Sequence, residues 1–143
     1  MASPIGFYST INQAVYATSK DVYIVFNTIP SVLGFNSGML DTNTGTVTVP
    51  EESYYSINGA VTYEWNELPT NRQISVELEI DGKPSTIKAT HSYGSNDPVT
   101  LNFSANVHLK YNQKLRVRLR FPYFDDTKQL VLPMGTYLSM FKL

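Results

Sequence analysis

The sequence contains no cysteine among its 143 residues, little net charge and no long hydrophobic run. Without cysteine, neither a disulfide framework nor a thiolate metal site can form. A formal net charge of -1 argues against a protein built mainly to bind nucleic acid or an anionic membrane. No apolar run reaches the length needed to span a bilayer. These absences indicate a fold that needs no cross-links and partners that are neither nucleic acid nor the membrane interior.

The first residues lack the basic and hydrophobic regions of a signal peptide. Residues 1–6 read Met-Ala-Ser-Pro-Ile-Gly, and we expect them to be a flexible leader or a remnant of expression. The length of the chain suits one domain with one sizeable core. The expected organisation is therefore a single domain over residues 1–143.

Two alternating stretches predict two β-strands. Apolar residues occupy every second position from Val99 to Tyr111 and again from Lys114 to Phe121. A period of two is typical of strands with one buried and one solvated face, whereas the 3.6-residue period of a helix would spread these residues around its surface. The pattern leaves open whether the two strands pair as a hairpin or lie in different sheets.

Further strands are predicted on both sides of this pair. Tyr54 to Trp65 predicts a long strand, and the final Tyr137–Leu143 predicts another. Ile74 to Ile80 and Pro84 to Tyr93 predict a hairpin, because the Asp81-Gly82 dipeptide between them is typical of a tight hairpin turn.

Shorter signals complete the list. Val22–Phe26 is a continuous apolar run that predicts a strand buried on both faces, and Asp41–Gly45 predicts a turn. Thr46–Val49 predicts a strand ended by Pro50, and residues 122–133 read as a loop. Eight to ten short strands without a credible helix predict an all-β sandwich, barrel or jelly roll.

Residues 35–55 carry a family resemblance. This segment is similar to the globular head of complement component one-q, within the tumour necrosis factor superfamily, and the aromatic last strand is similar as well. The matching residues are Gly45, Thr48, Pro50 and Tyr55. Three other motif positions differ from the family pattern, namely Val47, Ser53 and Ser139. These differences favour a distant branch of the family.

The resemblance implies a two-sheet jelly-roll sandwich of about ten strands that assembles as a homotrimer. Heads of this family usually cap a stalk or fibre and recognise another molecule, and they are not enzymes. The last strand is apolar on both faces, so one face is expected to fill the core and the other to meet neighbouring subunits. The expected trimer-interface residues are Tyr54, Tyr137, Phe141 and Leu143.

Four cations alternate along one predicted strand and form a candidate anion-binding stripe. They are Lys114, Arg116, Arg118 and Arg120. A sialic acid, a sulfated glycan or a phosphate is the ligand that such a stripe suits. Charge pairing is the favoured alternative, because an acidic row has the same period and the family topology places the two strands side by side. Each cross-strand pair contributes about 0.2–1 kcal/mol. The acidic row is Glu77, Glu79 and Asp81.

One predicted loop contains the best candidate for ligand recognition. Tyr123 and Phe124 are suited to this role because aromatic side chains dominate sugar and protein hot spots, although core packing is the alternative. Calcium is a candidate ligand because hard cations prefer clustered oxygens, and solvated acids are the alternative. The acids are Asp125 and Asp126, with Asp97 or Asp41 from other loops.

The sequence predicts no catalytic residue and no transition-metal site. His91 and His108 are its only histidines, and a jelly-roll metal centre needs a histidine cluster with a carboxylate. Apart from the candidate calcium ion, no cofactor is expected.

We therefore expect a non-enzymatic trimeric head domain of a virion or fibre surface protein, acting in assembly and in attachment to a host or ligand. Its expected location is the virion surface or the extracellular space, and its expected receptor is a cell-surface glycan or protein. The missing cysteines and signal-peptide features favour this setting. A secreted complement-like or cytokine-like recognition module is the alternative. A jelly-roll enzyme is disfavoured because the sequence offers no acid–base cluster.

Overall fold

A computed structural model of the protein describes residues 4–16, 21–32, 34–65, 72–93, 98–120 and 129–143. These ranges contain eleven strands and no helix. The strands are β1 Gly6–Thr10, β2 Val15–Tyr16, β3 Asp21–Tyr23, β4 Phe35–Asn36, β5 Val47–Thr48, β6 Ser53–Trp65, β7 Arg72–Ile80, β8 Lys83–Tyr93, β9 Val99–Leu109, β10 Lys114–Arg120 and β11 Gln129–Lys142.

The strands form two antiparallel sheets. Sheet I has the order β4-β1-β11-β6-β9, with β2 also paired to β11. Sheet II has the order β3-β10-β7-β8, with β5 also paired to β10. β9 and β10 lie in different sheets, which settles the question left open by their alternating pattern. The predicted jelly-roll sandwich is confirmed, with eleven described strands where about ten were expected.

The predicted alternation places one face of each long strand in a shared core between the sheets. The buried residues of sheet I include Tyr55, Ile57, Val61, Tyr63, Leu138 and Met140. Those of sheet II include Ile74, Val76, Leu78, Leu115, Val117 and Leu119. All twelve are at most 2% exposed, so the two sheets stabilise each other through hydrophobic burial.

Two predicted turns are confirmed by their backbone angles. Asp81 and Gly82 have φ values of 52° and 76°, as the tight turn between β7 and β8 requires. Gly45 has a φ of 77° and donates its N–H to the Asp41 carbonyl over 2.8 Å. A side chain at Gly45 would also lie 2.7 Å from the Ile24 carbonyl oxygen, so two constraints require glycine there.

Two sequence predictions were wrong in detail. The segment around β3 is not buried on both faces, because β3 is the edge of sheet II and Tyr23 is 36% exposed. The expected loop at 122–133 is too long, since β11 already begins at Gln129. The register of β11 against β6 shifts between Leu132 and Tyr137, and this bulge lets a strand contain Pro133.

Candidate functional site

The outer face of sheet II presents the predicted rows of opposite charge. β10 pairs with β7, so Arg116 lies opposite Glu79 and Arg118 lies opposite Glu77. The expectation that these two strands are neighbours is confirmed. β3 lies on the other side of β10 and adds Asp21 to the same face.

Most charges in this face neutralise one another. The Arg118 guanidinium donates to Glu77, and this hydrogen bond raises the pKa of Arg118. Arg120 Nε lies 3.4 Å from the Asp21 carboxylate. Glu77 and Glu79 are only 8% and 7% exposed, because the neighbouring side chains cover them. The arginines at 118 and 120 are therefore committed to contacts within the sheet.

Arg116 is held by an aromatic ring. Its guanidinium carbon lies 3.7 Å from the centroid of the Tyr23 ring, a cation–π geometry, and it donates to the Thr44 carbonyl over 3.4 Å. The Tyr23 hydroxyl in turn donates to Glu79 over 2.7 Å, and this hydrogen bond raises the pKa of Tyr23. Arg116 thus reaches the acidic row through Tyr23.

The substitution Arg118→Ala is expected to lower the free energy of unfolding by about 2 kcal/mol, because it leaves the poorly exposed Glu77 carboxylate without its charged donor. The side chains of Arg118 and Glu77 are 17% and 10% exposed, which makes this pair worth more than a surface pair. Urea denaturation measures the difference. Arg120→Ala is the control, since Arg120 is 51% exposed and should lose less than about 0.5 kcal/mol. Equal losses in the two variants would contradict the assignment.

Lys114 differs from the three arginines. Its Nζ donates to Thr48 Oγ1 over 2.9 Å and to Asn112 Oδ1 over 3.2 Å. No carboxylate in the described part of the chain lies within ion-pair distance of its ammonium. Of the predicted cationic stripe, Lys114 is the member whose charge is held by neutral oxygens.

The outer face of sheet I is aromatic. Tyr8 stacks on Tyr137 with ring centroids 5.6 Å apart, and Phe35 stacks on Phe141 at 6.3 Å. The outward positions of β6 from residue 54 to 60, of β9 from 102 to 108 and of β11 from 137 to 141 contain no Asp, Glu, Lys or Arg. Depletion of charge with enrichment of aromatic residues is typical of the centre of a protein interface.

The predicted interface residues fall on this face or at its edge. Tyr54 is 60% exposed and meets His108 edge-on, with ring centroids 5.1 Å apart. Tyr137 and Phe141 are half-buried in the stacked pairs, while Leu143 is 66% exposed at the end of the chain. Their role in assembly stays a prediction.

Beside the aromatic pairs, over β6 and β9, lies a polar depression of about 240 Å³. Asn58, Asn102 and Ser104 line it together with Tyr137. Underneath, Gly59 leaves room for the Phe103 ring, which would lie 2.3 Å from a side-chain carbon at position 59. The outer face of sheet I is therefore aromatic on the side of β1, β4 and β11 and amide-rich over β6 and β9.

Several predicted ligand residues lie outside the described ranges. These are Tyr123, Phe124, Asp125, Asp126 and Asp97, so their roles stay predictions. Asp41 is described, and its carboxylate caps its own turn by accepting the Asn43 N–H over 2.8 Å. His108 Nε2 lies 3.8 Å from Glu52 Oε2. Within the ranges that the structure covers, no three acidic, histidine or cysteine residues are grouped to hold a metal, and no helix is long and apolar enough to cross a membrane.

Sequence reasoning missed three residues of these surfaces. Tyr8 and Phe35 were not assigned to the aromatic face, because β1 and β4 are too short for their pattern to show which side chains point outward. Tyr111 was recognised only as the last apolar residue of the alternating stretch from Val99. The structure shows it 73% exposed at the turn between β9 and β10. Its place at the end of that alternation, where Asn112-Gln113 interrupts the pattern, was the signal available in the sequence.

The strand order and the buried layer define the class of the fold, a two-sheet jelly roll. No protein-family description and no curated protein sequence matches the chain. Solved structures match it over nearly its whole length. The family resemblance of the sequence is thereby confirmed at the level of the fold.

Three of these structures illustrate the similarity. Eiger TNF from S. frugiperda has a TM-score of 0.62 and 19% identity, covering 98% of this chain and 92% of that chain. Murine APRIL at pH 5.0 has a TM-score of 0.71 and 15% identity, covering 99% and 100%. The globular domain of zebrafish complement 1qA has a TM-score of 0.72 and 12% identity, covering 99% and 98%. At these identities the similarity establishes the fold.

Proposed function

We propose that this chain is a non-enzymatic recognition head that assembles as a homotrimer through the outer face of sheet I. One observation carries the proposal: the two sheets have outer faces of opposite character. The charges at 77 and 118 in sheet II neutralise each other, whereas sheet I presents aromatic pairs and amides, with no Asp, Glu, Lys or Arg at the outward positions named above for β6, β9 and β11. Covering the aromatic face would remove large apolar groups from water, which favours association.

Cyclic packing fits this face better than a twofold pairing. The aromatic pairs lie on β1, β4 and β11, toward one side of sheet I, while the exposed amides of Asn102 and Asn106 lie on β9 at the other edge. A face with two unlike halves is suited to heterologous contacts, in which one half meets the other half of the next subunit, and such contacts close into a ring. A ring of three is the assembly that the family resemblance implies.

The substitution Tyr137→Glu tests this assignment. Analytical ultracentrifugation of the unmodified chain should give three times its mass of 16.1 kDa, whereas the variant should sediment as a folded monomer. The reason is that the assembly would otherwise bury an unpaired carboxylate. Thr90→Glu is the matched control, because Thr90 is exposed on sheet II. A monomeric parent chain at micromolar concentration would refute the trimer, and a trimeric Tyr137→Glu variant would refute the face.

For the biological setting we propose a virion or fibre surface protein that acts in assembly and in attachment to a host receptor. Support comes from the absence of cysteine, which leaves the head without the disulfides common in small secreted domains. A secreted recognition module is the second candidate, supported by the fold of Eiger TNF, APRIL and complement 1qA. A fibre-forming segment encoded upstream would favour the first candidate, and recovery of the protein from culture medium without particles would favour the second.

A further inference from the structure

A groove at one end of the sandwich has an exposed aromatic ring in its wall, and the ammonium of Lys114 is bound to two of its lining residues. Its walls are the segment before β1, the loop between β4 and β5, and the turn between β9 and β10. Its volume of about 380 Å³ falls in the range of small-molecule sites. The lining residues that matter for its chemistry are Ser37, Thr48, Pro50, Tyr111 and Asn112.

The turn that carries Tyr111 is rigidly attached to the rest of the groove. Asn112 has a φ of 67° and donates its N–H to the Val49 carbonyl over 2.8 Å. Val49 in turn donates to the Gln113 carbonyl over 3.0 Å. These reciprocal bonds hold Tyr111 at the rim, where its ring is 73% exposed. A large, exposed aromatic side chain on a firmly held turn offers a surface for a partner.

Lys114 does not itself line the groove, but its ammonium is held by two residues that do. Its two acceptors, Thr48 Oγ1 and Asn112 Oδ1, belong to residues that line the groove. An ammonium has three donors, so one N–H is left for a further acceptor. The nearby carboxylate of Asp81 is occupied by the backbone N–H of Lys114 at 2.9 Å and by Gln113 Nε2 at 3.1 Å, and these bonds lower the pKa of Asp81. Two neutral oxygens therefore orient the ammonium, while the Asp81 carboxylate interacts with its charge from beyond ion-pair distance.

We propose that this groove binds the terminal carboxylated sugar of a glycan, with the carboxylate on Lys114 Nζ and the sugar ring against Tyr111. A sugar of this kind matches all three features, since it offers an anion, a less polar ring face and hydroxyl groups for Ser37 and Asn112. An inorganic anion would meet the ammonium but leave Tyr111 uncovered. The inference rests on the proposed function, because it names the ligand class that the recognition head takes.

Isothermal titration of the full chain with sialyllactose, and with lactose as the neutral probe, tests the inference. Sialyllactose should bind at least about tenfold more tightly than lactose, and added salt should weaken it. Lys114→Gln and Tyr111→Ser should each weaken sialyllactose binding by about tenfold or more. Lys88→Gln is the matched control, because it removes the same charge from exposed β8 and should stay within about twofold of the parent chain.

Three results would overturn the assignment. One is equal affinity for sialyllactose and lactose, and another is a Lys114→Gln variant that binds as the parent does. The third is tighter binding of a polyglutamate peptide than of sialyllactose, with the peptide binding lost in the Lys114→Gln variant. The ligand would then be an acidic protein segment. A chain that sediments as a trimer but binds neither sugar refutes this inference and leaves the proposed function standing. A monomer that binds sialyllactose through Lys114 would support this inference and refute the proposed trimer.

Discussion

Removal of residues 140–143 is expected to abolish folding and trimer formation together. β11 lies in the middle of sheet I, where Met140 pairs with Phe7 on one side and Ile57 on the other. Met140 is 1% exposed, and truncating such a side chain alone typically costs about 2–5 kcal/mol. The deletion also removes the backbone bond from Lys142 N–H to the Ile5 carbonyl at 3.0 Å. The combined loss approaches the about 5–15 kcal/mol that stabilises a typical domain.

Circular dichroism and sedimentation of the truncated chain measure this outcome. Removal of Leu143 alone is the control, because its side chain is 66% exposed and its contribution to the core is small. A truncated chain that folds but stays monomeric would make the last four residues an interface element only. A truncated chain that still forms a trimer would show that the end of β11 lies neither in the middle of sheet I nor at the subunit interface.

The substitution Gly59→Val should be the most damaging single change in β6. The Phe103 ring from the adjacent strand β9 covers the position, and an added Cβ would lie 2.3 Å from its Cζ atom. Phe103 is 6% exposed, so the ring has little room to move away. Overpacking of this kind costs about 3 kcal/mol or more, which would appear as a lower midpoint in urea denaturation.

A double-mutant cycle identifies the cause of that loss. Phe103→Leu shortens the side chain above position 59, so it should cost less in a Gly59→Val background than in the parent chain. Two additive losses would show that the ring is not what excludes a side chain at Gly59.

Strands and tight turns could be predicted because the preferences that form them depend on residues close together in the sequence. The alternation from Val99 to Tyr111 has the period of a strand in any context, and Asp81-Gly82 favours one turn whatever surrounds it. The edge position of β3 could not be predicted in the same way. Val22–Phe26 is apolar throughout, but whether such a run is central or peripheral depends on which strands pair beside it.

The candidate surfaces depend even more on distant contacts. The sequence predicted a row of four cations but treated Lys114 and Arg118 alike. They differ because Arg118 meets Glu77, whereas Lys114 meets Thr48 from a strand 66 positions away along the chain. Likewise, the pairing of Tyr8 with Tyr137 depends on the first and last strands being neighbours. Contacts of this range follow from the complete topology and cannot be read from one segment.

The neighbouring positions of β1 and β11 have a mechanical consequence. Gly6 pairs with Phe141 at the end of the ladder nearest Ile5. A tensile force applied between Ile5 and Lys142 would therefore open this ladder one pair at a time, which is the weakest direction for antiparallel strands. The groove beside Ile5 shares that end of the sandwich. Tension between a tether at Ile5 and a ligand in the groove would follow a short path and leave the core between the sheets largely unloaded.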